Sequence, residues 1–221
     1  MCEFCHRHGE GKKWYLQAKN YSQDLLSDVR RRKMIRGFFS GEDQVSGDPA
    51  SAEKLNRLPG FVQRAIKGRV TRRMKQMHFG QVLPLEDVEA IFGFVDSIAR
   101  VPCICRHATL GREVRYCYGV TLGPGGGLGE VLEGLDSSFL SGPDLAGQEK
   151  LTCEQALQAF ADHEKEGLCH TVWTFVTPFI GGICNCDRAD CLAMKASLAQ
   201  GVKVMFRAET VAEGNPDPVS Y

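Results

Sequence analysis

The sequence predicts an α+β fold, a helical N-terminal half followed by a small mixed α/β region built around its cysteines. Three observations carry this reading. Apolar residues recur at three- and four-residue spacing through the first half of the chain. β-like runs flanked by glycine and proline come only after residue 100. Six of the ten cysteines fall in two groups of the second half, Cys103-Ile104-Cys105 with Cys117 and Cys184-Asn185-Cys186 with Cys191.

From Ser22, a suitable N-cap, Leu25, Leu26, Val29, Met34 and Ile35 form an approximate helical stripe. Gly37 and residues 41–49, rich in Gly, Asp and Ser, predict a loop. Residues 61–79 predict a second, basic helix, with Phe61, Val62, Ala65 and Ile66 on one side. Pro84 then suits the first turn of a third helix, with Glu86 and Asp87 complementing its dipole. Val88, Ile91, Phe92, Val95, Ile98 and Ala99 extend that pattern up to the first cysteine group.

Beyond it, residues 101–105 and 114–122 predict extended segments joined by a turn near Gly111. Thr152-Cys153-Glu154-Gln155 has the form of a capping box, opening a helix that stops at Gly167. Residues 170–176 predict a strand, followed by the Gly181-Gly182 turn and the second cysteine group. A short helix within residues 188–200 and a last strand over 202–206 complete the chain. The organisation is therefore a basic, mainly helical region over residues 1–80 and a cysteine-rich α/β region over 81–221, as two units or one integrated domain.

Ten cysteines in 221 residues lie well below a secreted disulfide scaffold. No apolar leader follows Met1, and the apolar runs near residues 91–95 and 172–180 are too short to span a bilayer. A cytoplasmic, reduced chain is expected, where clustered cysteines mean metal or catalysis. Cysteines one residue apart cannot readily bond to each other, but both can face one metal centre. Zinc sites usually use C-x₂₋₄-C spacing, so the two C-x-C groups favour iron–sulfur, with zinc as the alternative. The candidate ligands are Cys103, Cys105, Cys117, Cys184, Cys186 and Cys191. Cys2 and Cys5 would raise the count to eight, enough for two 4Fe-4S clusters rather than one. Cys2-x-x-Cys5-His6 also has the form of a haem attachment motif, which requires export. Cys153 and Cys169 are left over.

Other features are weaker. His170 is either a packed core residue or a non-cysteine ligand or proton donor, the one weak catalytic candidate. Lys195 and Arg188 are either surface residues or cations that raise a cluster's potential. The glycines of residues 123–129 lack the Gly-Lys-Ser/Thr of a phosphate loop.

The net charge of zero hides a division: residues 1–80 hold 17 Lys/Arg against 8 Asp/Glu, and residues 81–221 hold 10 against 19. Arg30 to Lys33 with Arg36, and Arg64, Lys67, Arg69, Arg72, Arg73 and Lys75, read as solvated helix faces or as surfaces for pairing the two halves. Functionally they read as a docking face for an acidic redox partner, an anionic membrane or nucleic acid. No nucleic-acid-binding signature accompanies them, so nucleic acid is the weakest of the three.

Val101-Pro102-Cys103-Ile104-Cys105-Arg106, residues 166–173 and Gly182-Ile183-Cys184-Asn185-Cys186 together resemble ferredoxin-like iron–sulfur proteins of anaerobic bacteria and archaea. In those proteins a C-x-C-R and an I-C-N-C segment precede a C-terminal ferredoxin module. The resemblance covers about residues 85–210. It implies an oxygen-sensitive 4Fe-4S redox protein with the six cysteines as ligands. Two departures stand out. The second motif is poorer in cysteine than the family's dense run, and the sequence ends near Asn215-Pro216-Asp217-Pro218, about where that module would begin.

Three function classes remain open. The first is an electron-transfer protein serving an anaerobic reductase. The second is an enzyme whose cluster keeps an open coordination site for a small molecule, with His170 supplying protons. The third is a zinc-stabilised binding module.

Overall fold

The computed structural model describes residues 3–23, 27–40, 55–123 and 149–207. The glycine-rich segment beyond Gly123, the loop expected over residues 41–49, Cys2, Leu25 and Leu26 lie outside these. The fold is of the α+β class. Helix α1 (Glu3–His8) leads into two 3₁₀ turns, Trp14–Leu16 and Ala18–Asn20, and then α2 (Val29–Ser40) and α3 (Gly60–Met77). Strand β1 (Gly80–Val82), α4 (Leu85–Phe92), β2 (Ser97–Val101), α5 (Ile104–Leu110) and β3 (Cys117–Thr121) follow. The rest is β4 (Glu149–Leu151), α6 (Cys153–Lys165), β5 (Cys169–Thr174), β6 (Ile180–Cys186), α7 (Leu192–Leu198) and β7 (Met205–Arg207). Among the described residues no helix is long and apolar enough to cross a membrane.

The seven strands form one sheet in the order β4-β2-β3-β6-β5-β1-β7, antiparallel except where β1 meets β7. Successive side chains of a strand point to opposite faces, so the register assigns each residue a side. Ile98, Tyr118, Val120, Val172 and Ile183 share one face and pack with Val88, Ile91 and Phe92 of α4 and Ala156 and Phe160 of α6. These residues are buried and make up the core together with Trp14, Tyr15 and Phe79. The opposite face carries Val101, Cys117, Gly182, Cys184, Cys186 and Trp173.

Several local expectations change. The helix beginning near Pro84 stops at Gly93, and Ile98 and Ala99 belong to a strand. A short apolar run fits either period, and here β2 pairs with both β3 and β4, a ladder that local spacing does not reveal. Residues 101–105 are extended only to Val101. Then α5 begins and ends at Gly111, whose φ of 65° suits the left-handed cap that glycine adopts readily. Helix α2 is capped not by Ser22 but by Asp28, whose Oδ1 accepts the amides of Arg30 and Arg31. The capping box at Thr152 and Gln155 forms as the sequence predicts.

Candidate metal centre

The six cysteines converge. Cys184 and Cys186 are two residues apart on β6 and so share a face. Cys117 lies directly opposite Cys184 in the β3–β6 ladder, and their sulfurs are 3.1 Å apart. Cys103 and Cys191 are the N-cap residues of α5 and α7, and Cys105 lies in the first turn of α5. All six line one cavity of about 510 Å³. The two sequence groups are therefore one site in space, and the site regroups them. One file of thiol contacts runs Cys103–Cys117–Cys184 and a second runs Cys105–Cys191–Cys186. The first cysteine of each C-x-C joins one file, the second joins the other. Among the described residues no three His, Cys, Asp or Glu side chains gather on a point where they could hold a single ion. None of the nine described cysteines is in a disulfide.

This crowding shapes the electrostatics. The Cys103 thiol is pushed well above its ordinary range by its hydrogen bond with Cys117 and by burial. Cys105 and Cys186 rise likewise, first through their bonds to Cys191 and then through burial. Cys191, which receives those bonds and the backbone amides of Ala193 and Met194, is held far below the usual thiol range. Neutral thiols thus surround one favoured thiolate. Ionising them all requires a strong local positive charge, which a metal centre supplies.

One cation is already built in. Arg106 is buried, stacks on Tyr116 with its guanidinium carbon 3.9 Å from the ring centre, and donates from Nε to Asp187 Oδ2 at 3.0 Å. Burial works against its charge, but Asp187 and the thiols of Cys103 and Cys117 outweigh it and raise its pKa. Burial likewise opposes the Asp187 charge, yet the Arg106 bond lowers its pKa overall. Arg106 directly follows Cys105, and Asp187 directly follows Cys186. Opposite charges at the same offset after each C-x-C were a legible sign that the two segments meet.

The remaining lining is mainly apolar, with Met34 of α2, Val70, Met74 and Met77 of α3, Trp173 and Phe175, and it also includes His78 and Arg73. His78 is the histidine of this cavity, a role its place at the end of the basic helix did not signal. Its ring lies against Trp173 and Phe175, Nδ1 bonds the Thr174 carbonyl, and burial lowers its pKa to about 4. Thr171 Oγ1 lies 3.2 Å from Cys186 Sγ.

The structure separates other candidates from the thiols. His170 is on the opposite face of the sheet, its Nδ1 bonded to Asn185 Oδ1 at 2.7 Å and its ring against Phe160, so it is a packed core residue. Cys5 sits on α1, partly buried against the core, and does not line the cavity. Arg188 and Lys195 do not line it either, although α7 contributes Leu192, Ala193 and Ala196. Cys153 is exposed beside Phe92. Cys169 stands opposite Cys186 on the thiol face, just outside the lining. No protein-family model, curated protein or solved structure matches this chain.

Proposed function

We propose that this protein is an iron–sulfur redox protein whose cavity thiols hold a 4Fe-4S-type centre, and that it exchanges electrons with an anaerobic reductase partner. The observation that carries the reading is the convergence of six thiols from two distant C-x-C segments on one cavity. Soft thiolates select zinc or iron–sulfur clusters. A single zinc ion needs four donors on one tetrahedral point, whereas these sulfurs are strung in two files along a wall. That distribution suits a centre with several metal atoms, and it favours one shared centre over two separate ones.

Such a centre supplies one-electron chemistry when bound. The chain's own residues set its surroundings. Arg106 offsets thiolate charge from within the protein, and Asp187 fixes that cation in place. Thr171 offers a hydroxyl to Cys186, and hydrogen bonds to sulfur are one of the protein's levers on potential. The methionine and aromatic wall keeps the sulfurs in an apolar setting.

The size of the cavity favours a second reading, an enzyme acting on a small molecule beside the centre. About 510 Å³ falls in the range of small-molecule pockets. Anaerobic purification and reconstitution, followed by iron, acid-labile sulfide and zinc analysis, tests the proposal. Brown protein with iron and sulfide in comparable amounts is expected. Colourless protein holding stoichiometric zinc would reject it in favour of the zinc-stabilised module.

A further inference from the structure

Helix α3 presents an outward stripe that nothing among the described residues covers. Phe61, Arg64, Ala65, Gly68, Arg69, Arg72, Arg73 and Gln76 are all exposed and follow one another at alternating spacings of three and one. That is the signature of a single helical face, about 23 Å long at 1.5 Å per residue. The helix has six cations and no carboxylate. Arg64, Arg69, Arg72 and Arg73 have no acidic partner among the described residues. At the start of the stripe Phe61 is 69% exposed, a large ring left in water.

Two details tie this face to an external surface. Gly68 lies in the middle of the helix, where glycine is unfavourable, and a Cβ there would meet nothing within 4 Å. Among the described residues nothing packs closely enough to need that glycine, and it leaves room for close approach from outside. Secondly, Arg73 belongs both to the stripe and to the lining of the thiol cavity, and Met74 and Met77 of the same helix line the cavity wall. A body seated on the stripe lies about one helix diameter, roughly 10 Å, from the thiols.

We infer that this face of α3 is the docking surface for an acidic electron-transfer protein, an inference that rests on the redox reading of the cavity. An exposed aromatic residue at one end, arginines along the face and the small residues Ala65 and Gly68 between them are a composition found at protein interfaces. The clustered positive charge selects an acidic partner and speeds its encounter. Its place beside the thiols gives the contact a purpose that a membrane or a nucleic acid would not share.

The test is binding of the full chain to two redox proteins of opposite charge, an acidic flavodoxin and a basic cytochrome c. Vesicles of phosphatidylglycerol and a DNA duplex serve as competing polyanions. We expect flavodoxin to bind and cytochrome c not to. Charge reversal in Arg69→Glu/Arg72→Glu should weaken flavodoxin binding by tenfold or more, as should raising salt from roughly 0.05 to 0.5 M. Gly68→Trp, which changes no charge and meets open space, should weaken it similarly with an unchanged melting temperature. Flavodoxin binding that ignores these substitutions, or tighter binding to vesicles or DNA, would overturn the inference. Binding is read independently of iron content. A chain free of iron and sulfide that still binds through this face rejects the redox reading and keeps the face, whereas an iron-loaded chain that does not bind rejects the face alone.

Discussion

Cys117 and Cys184 are 67 residues apart in sequence, yet they face each other across β3 and β6 with their sulfurs 3.1 Å apart. Each is in direct contact with a thiol of the other's motif. Serine at either position should therefore damage the same centre, lowering bound iron and stability together, because a lost ligand removes metal binding and folding energy at once. The double substitution should cost little more than the worse single one, since contacting residues are not additive. Iron content and denaturant midpoints of the three variants check this. Fully additive losses would mean that the two cysteines serve separate centres.

Cys153→Ser should leave iron content unchanged and alter stability by no more than about 0.5 kcal/mol, the usual range for an exposed position. Cys186→Ser, by contrast, should lose both iron and stability. Equal damage from the two would disprove the assignment of ligands.

The Arg106–Asp187 pair predicts an asymmetry. The Arg106 side chain is 3% exposed and that of Asp187 is 21%. Asp187→Asn leaves a deeply buried cation without its carboxylate, whereas Arg106→Gln leaves a carboxylate that still reaches water. Losing one member of a buried pair costs about 3–5 kcal/mol, and Asp187→Asn should lie nearer the upper end. Chemical denaturation of both variants and of the double variant orders them. A milder effect at Asp187 would contradict the burial argument.

His78 gives a pH dependence. Its pKa is about 4 in the folded protein against about 6.5 for an unperturbed histidine. The unfolded chain therefore binds the extra proton first, and stability rises with pH between those values. The contribution is complete above about pH 6.5, falls as the pH drops through that window, and levels off below the folded value. At about 1.4 kcal/mol per pH unit the loss is at most on the order of 3 kcal/mol. His78→Gln should flatten this part of the stability profile. An unchanged slope would show that other groups cause it.

Gly80 lies in β1 against the Trp173 indole, and a Cβ there would fall 2.8 Å from the ring. Gly80→Ala should cost about 1–3 kcal/mol, the usual penalty of overpacking. It should also disturb the tryptophan fluorescence. A neutral substitution would mean that the ring moves aside freely.

The α+β class was legible in the sequence, the helical, basic N-terminal region only roughly, and the box at Thr152 and the basic helix over residues 61–79 clearly. Each rests on local chemistry: capping, periodicity or charge. The strand at residues 97–101 was not, because its apolar spacing fits a helix until its two ladder partners are known. The two C-x-C groups stood out in the sequence, but their convergence on one cavity was hidden. It depends on the β3–β6 pairing, which no spacing along the chain encodes. Of the two readings of His170, the packed core residue holds, for a related reason. It is next to Cys169 in sequence, and adjacent strand residues point to opposite faces. His78 gave no signal, since only the turn from α3 into β1 brings it to the cavity.

The β3–β6 pairing also fixes a timetable. During synthesis Cys103, Cys105 and Cys117 emerge long before the ribosome reaches Cys184, and the cavity has no second wall until β6 has been made and has annealed to β3. Chains are produced at only about 5–20 residues per second, so the first three thiols wait several seconds for their partners. A centre drawing on both segments can be loaded only once nearly the whole described chain has left the ribosome. On the proposed redox reading, a metal donor would therefore meet these thiols only after β6 has been made and paired.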